Sequence, residues 1–205
     1  MAWMRRPATR ICLVVITLAC CAVLYVLRMA LYVPPETSHP PEISSSEVTR
    51  STTNLLALAA RWRLIEQAHR YTGTTMPFEI TVFESDINTV LRTKAPGLAE
   101  SYVPRNLPLE NAVVDLHTDS VAVSGLTEFR GRLICVTITG VPKLRNSRSV
   151  EFDVRSVKIG KWNPPGFVER AIISQIRRDT SGMTATSHVP LKGIVVEPGK
   201  LRIRG

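Results

Sequence analysis

The chain has little material for covalent bracing, metal chemistry or catalysis. Of its four cysteines, Cys12, Cys20 and Cys21 fall within one apolar run near the N-terminus. Only Cys135 lies beyond that run, so the rest of the chain cannot close a disulfide on itself. Cys135 reads as a small apolar residue buried on a strand. The four histidines, His39, His69, His117 and His188, are scattered and lack a metal-ligand spacing such as His-x-x-x-His. No Gly-x-Ser-x-Gly elbow and no glycine-rich phosphate motif occurs. Ser181, Asp179 and His188 are the residue types of a triad, but nearness in sequence does not assemble one. Asp115 and Asp119 flank a turn, while Glu151 and Asp153 share the wet face of a strand. Both pairs read as solvated charge rather than as an acid and base. Aromatic residues make up 6% of the chain and do not alternate with basic ones, which argues against a nucleic-acid stacking platform. The expectation is a non-enzyme with no cofactor, no metal and no nucleic-acid partner.

Acidic residues are also missing from the first 34 positions, and that absence is informative. An apolar run from Ile11 to Leu27 is interrupted by Arg28 and resumes from Met29 to Val33. At about 1.5 Å per residue, roughly 20 residues cross a hydrocarbon core of about 30 Å. Ile11 to Val33 meets this if Arg28 snorkels to the outer headgroups. Arg5, Arg6 and Arg10 flank the other end, which by the positive-inside rule keeps the N-terminus in the cytoplasm. Trp3 on one side, with Tyr25 and Tyr32 on the other, suit interfacial positions. A cleaved signal peptide lacks a convincing small-x-small site between Arg28 and Pro35. A lipoprotein site is only half formed at Thr-Leu-Ala-Cys20, and the apolar run continues past it from Ala22 to Leu27. The sequence therefore predicts a single-pass signal anchor in the cell inner membrane. Residues 1–10 would be cytoplasmic, 11–33 the transmembrane anchor, 34–46 a linker and 47–205 a periplasmic (extracytoplasmic) α+β domain. Beyond Pro34 lie 22 of the 26 basic and all 17 acidic residues, an excess of five positive charges. That excess suits an anionic membrane surface or an acidic envelope component, and equally an ordinary solvated surface.

Pro34 to Ser46 is rich in Pro, Ser, Thr and Glu and reads as an extended linker. Ser44 and Glu47 have capping-box spacing, which predicts a helix to about Tyr71 with Gly73 as its stop. Leu55, Leu58, Trp62, Ile65 and His69 share one face of it. Phe78 to Val82 alternates as a strand, and Glu84 to Leu91 reads as a short helix capped by Ser85, with Ile87, Val90 and Leu91 inward. Ala99 to Glu110 reads as a loop. A meander follows: strands Val113–Thr118, Val121–Glu128 and Leu133–Thr139, a basic loop from Pro142 to Ser149, then a fourth strand. On that strand Val150, Phe152, Val154 and Ser156 share one face, and Glu151, Asp153 and Arg155 the other. A second long helix is predicted from Phe167 to Arg178, with Val168, Ile172 and Ile176 in register. The chain closes on a hairpin, where Glu197-Pro198-Gly199-Lys200 fits a type II turn. The expected architecture is α+β: an antiparallel sheet of about six or seven strands, curled against the long helices.

The Phe78 to Leu91 segment, the Val121-Ala-Val-Ser-Gly125 strand, Ile159-Gly160 with Pro-Pro-Gly-Phe167, and the closing Val-Glu-Pro-Gly-Lys-Leu-Arg-Ile-Arg-Gly carry a resemblance. They resemble the YpmS-like and LmeA-like membrane-anchored extracytoplasmic proteins over about Phe78 to Gly205. The resemblance implies one N-terminal anchor followed by a sheet curled around helices. For the LmeA-like members it implies phospholipid binding in an apolar groove, similar to the TULIP group of lipid carriers. It transfers no catalytic residue. Two functional expectations follow. In one, a lipid-binding accessory domain uses Leu55, Trp62, Ile65, Val168 and Ile172 to line an apolar groove. Lys161, Trp162 and Phe167 would then form a membrane-contacting lip. In the other, the domain is a scaffold of an envelope complex, recruiting a protein partner through the first helix or a sheet edge at Leu201 to Ile203. The same apolar residues also suffice for a plain filled core.

Overall fold

The computed structural model describes residues 20–34, 43–74, 76–93, 110–129, 131–180 and 185–205. Within them the protein is α+β, with antiparallel strand pairing throughout. Helix α1, Ser45–Thr72, starts where the capping box predicts. Ser44 Oγ accepts from the Glu47 amide at 3.3 Å, and the Glu47 carboxylate accepts from the Ser44 amide at 3.1 Å. The bond from the Ser44 amide first, and then one from the Ser44 hydroxyl at 3.0 Å, hold the Glu47 carboxyl below its ordinary range. The helix ends at Gly73, whose φ of 68° lets its amide reach back to the His69 carbonyl.

Strand β1, Glu79–Phe83, leads directly into helix α2, Glu84–Thr93. The helix begins at Glu84, so Ser85 lies inside the first turn instead of capping it. Glu84 is used differently: its carboxylate accepts the Leu116 amide at 2.7 Å. One turn on, the Asn88 side chain bonds both the amide and the carbonyl of Val114, each at 2.7 Å. Four residues of helix rise about 6 Å and two residues of strand about 6.7 Å. The match lets α2 satisfy alternate residues along the free edge of strand β2, Glu110–His117, as another strand would.

Strands β2, β3 (Ser120–Phe129), β4 (Arg132–Asn146), β5 (Ser149–Ile159) and β6 (Ala185–Thr186) form a five-stranded meander in that order. The predicted basic loop from Pro142 is instead strand, because β4 runs on to Asn146. Gly140 and Pro142 mislead for physical reasons. At Gly140 the register shifts, and the Phe152 ring fills the space a Cβ would need. Strand β3 ends opposite Gly140, so Pro142 lies where β4 has become an edge on that side. The same irregularity breaks the alternation expected for β5. Val154 and Val157 are the buried pair, and Phe152 stays 39% exposed.

Helix α3, Gly166–Thr180, follows, and then strands β7, Gly193–Glu197, and β8, Lys200–Arg204. Gly199 has the φ of 75° that a type II turn requires at its third position. This hairpin does not join the meander. With β1 it forms a second, three-stranded sheet in the order β1–β8–β7, so one expected sheet is in fact two. β8 is the central strand, paired with β1 and β7, which removes Leu201 to Ile203 as a sheet edge.

Three apolar clusters hold the layers together. α1 contributes Leu58, Trp62 and Ile65 to a cluster around Phe78, Ile80, Val189 and Leu191. Trp62 meets Phe78 edge-on at 5.6 Å. α2 sets Ile87 and Leu91 against Val114, Leu116, Val121 and Val196, where the two sheets meet. α3 sets Ile172, Ile173 and Ile176 on Ile138, Val154 and Val157. Cys135 is buried, as its place on a strand implied.

Candidate functional site

The turn after β5 carries the most distinctive geometry. Residues 20–30 are helical, and the end of that segment rests on Gly160 and Lys161. The Lys161 amide donates to the Met29 carbonyl at 2.8 Å, and the Gly160 amide donates to Cys135 at 2.7 Å. Gly160 has φ +58°, a left-handed conformation that favours glycine. A Cβ there would lie 2.5 Å from the Met29 carbonyl oxygen and 2.7 Å from those of Ala30 and Tyr32. Any side chain would therefore displace the segment. Lys161 Nζ sits 3.7 Å over the Tyr32 ring, a cation–π contact at the carbonyl end of a helix, where positive charge is favoured.

Ile159 and Trp162 exchange both backbone hydrogen bonds, and the half-buried Trp162 is held by that bridge. Phe167 lies in the first turn of α3 and is 71% exposed. The Glu169 carboxylate accepts from the Val157 amide at 3.2 Å, tying the first turn of α3 back to β5. The predicted membrane-contact residues Lys161, Trp162 and Phe167 thus lie on one braced corner, within seven consecutive positions that run from just past β5 into the first turn of α3. Of the predicted span Ile11 to Val33, residues 11–19 lie outside the described residues. Among the described residues no helix is long and apolar enough to cross a membrane.

The predicted groove residues do not share one cluster. Trp62 and Ile65 pack with the β1 and β8 region, and Leu55 is half-buried on the same helix. Ile172 packs on β4 and β5, with Val168 half-buried one turn before it. A cleft of about 380 Å³ lies between α1 and α2, and none of the five lines it. Its walls are mostly polar: Glu47, Arg50, Ser51, Ser85, Asp86, Asn88, Thr89 and Arg92, with Ile43. Asp86 is buried and held by Asn54 at 3.3 Å. Two cations and two anions offset one another there, a poor match to an apolar ligand.

Sequence reasoning gave Gly160 no role in the site, although a glycine closing an alternating strand was the signal, and it did not bring Met29 or Tyr32 to this corner. It also missed Glu84 and Asn88, whose four-residue spacing is visible but whose strand partner is not. Comparison with family models, with curated proteins and with solved structures finds no match to this chain.

Proposed function

We propose that this chain is a membrane-anchored extracytoplasmic accessory protein, non-catalytic and associated with lipid at its surface. The observation that carries the reading is the seat of residues 29–32 on Gly160 and Lys161. An apolar segment that ends locked to a folded domain sets which side of that domain faces the bilayer. Trp162 and Phe167, beside Lys161, then lie at headgroup level, where aromatic and basic residues are favoured. A lipid-filled interior is less well supported, because Trp62 and Ile65 pack in one cluster and Ile172 in another. Lipid contact is therefore proposed for the surface.

The test is fractionation of the full chain in sealed membrane vesicles. The chain should resist alkaline carbonate extraction, and protease should digest residues 47–205 only from the non-cytoplasmic side. Release by carbonate would sink the anchored reading. Retention together with stoichiometric crosslinking to one protein would favour the scaffold of an envelope complex.

A further inference from the structure

Helix α1 has a second apolar face that the fold does not use. Leu56, Ala60, Leu64 and Ala68 recur every fourth residue, and Ala57 and Tyr71 widen the stripe to roughly a third of the circumference. These residues point away from the cluster under Trp62: Leu56 is 56% exposed, Leu64 65% and Tyr71 90%. Thr53, its hydroxyl turned onto the Thr49 carbonyl, and Gln67 are the polar residues within the stripe. Arg63 and Arg70 border it on one side and Arg61 on the other, all exposed. Among the described residues no acidic side chain pairs with these three arginines. The acids of α1 are engaged elsewhere, Glu47 in the capping box and Glu66 accepting from Trp62 Nε1 at 3.0 Å.

We propose that this outward face of α1 lies on an anionic lipid surface, the outer leaflet of the bilayer that holds the N-terminal segment. Charge complementarity selects the occupant. A second copy packed face to face would bring arginines against arginines with no acid on the face to meet them. Anionic headgroups complement all three, while Leu56, Leu64 and Tyr71 enter the interfacial region and the arginine stems snorkel. A helix of 28 residues is about 42 Å long and lies in the plane of the surface.

The sheet sets the distance between the two contacts. α1 packs near Leu144 and Val150, whereas the Gly160 corner follows the Val136–Ile159 pair at the other end of the same ladder. At about 3.3 Å per residue, those ends are separated by about 26 Å. On this proposal the domain touches the bilayer at both ends of the β4–β5 ladder and does not stand on the corner alone.

The inference rests on the anchored reading, and the experiment separates the two. The full chain carrying Leu64→Cys is spin-labelled in a Cys12→Ala, Cys20→Ala, Cys21→Ala background, Cys135 being only 2% exposed. It is placed in nanodiscs of phosphatidylcholine, with or without phosphatidylglycerol. With the anionic lipid, the nitroxide should become accessible to oxygen and shielded from a water-soluble nickel chelate. Arg61→Glu, Arg63→Glu and Arg70→Glu together should shift that equilibrium on the order of a hundredfold toward water. High salt on the otherwise unaltered chain should shift it the same way, which controls for any misfolding of the triple variant. A nitroxide that stays in water in both lipids, on a chain still held in the disc, overturns the inference and leaves the anchor standing. Shielding that depends on protein copies per disc and not on lipid charge overturns it in favour of a second copy. Loss of the chain from the disc removes both readings.

Discussion

The Gly160 corner and the outward face of α1 are two surfaces proposed for one bilayer, built by opposite means. The corner is made of backbone. A left-handed glycine leaves room for three carbonyl oxygens, one amide bonds to Met29, and the geometry tolerates no substituent. The face of α1 is made of side chains alone and contributes nothing to the core beneath it. A contact of the first kind fails completely when one atom is added and ignores salt. A contact of the second kind fades by increments and weakens as ionic strength rises. The difference teaches that rigid seating and lipid preference can be lodged in different parts of one small domain.

The comparison breaks most sharply at the corner. Gly160→Val should unseat residues 29–32, because it adds strain at positive φ and a collision with three carbonyls. Hydrogen exchange should report this as lost protection of the Lys161 amide, with the amides of β2 and β3 unchanged. An unchanged Lys161 amide would contradict the seating. Next in size is a contrast within α1. Trp62→Ala on the inward face should cost about 3 kcal/mol, given its packing on Phe78. Leu64→Ala on the outward face should change stability by no more than about 0.5 kcal/mol. Denaturant unfolding of the full chain in detergent measures both, and equal losses would mean that the outward face is packed after all.

Between these falls the cap. Ser44→Ala should cost about 1 kcal/mol and weaken both faces of α1 together. The smallest effect is electrostatic. Asp153 accepts a hydrogen bond from Lys143 at 2.8 Å and lies near Arg177 and Arg155, which hold its carboxyl below the ordinary 3.8. A depressed carboxyl stabilises the fold above its unfolded value and loses that contribution as pH falls through the folded value. Because the cluster is open to solvent, Asp153→Asn should cost less than about 1 kcal/mol at neutral pH. The difference from the unaltered chain should vanish in acid below that range, and a difference that grows there would reverse the sign of the account.

Much of the fold was legible in the sequence because it rests on local chemistry. The Ser44–Glu47 box, the Gly73 stop, the Pro198-Gly199 turn and the inward faces of α1 and α3 each depend on residues within a few positions of one another. The loop predicted from Pro142 failed because glycine and proline signal a break, while a bulge and a lost neighbour let a strand carry both. The division into two sheets was not legible, since β1 and β8 pair across more than a hundred residues of chain. The site divides in the same way. Lys161, Trp162 and Phe167 were readable as a basic and aromatic corner, whereas the carbonyls that meet Gly160 come from a segment remote in sequence. The apolar groove failed to assemble because periodicity identifies a buried face without saying which cluster receives it.

The most direct measurement is quenching of Trp162 by lipids brominated near the headgroup. It uses the full chain in nanodiscs with Trp3→Phe and Trp62→Phe, so that Trp162 is the sole tryptophan. The account predicts strong quenching that falls when Gly160→Val is added, because the corner then loses its seat on residues 29–32. Trp162 emission that is indifferent to brominated lipid would contradict the proposal that this corner faces the bilayer.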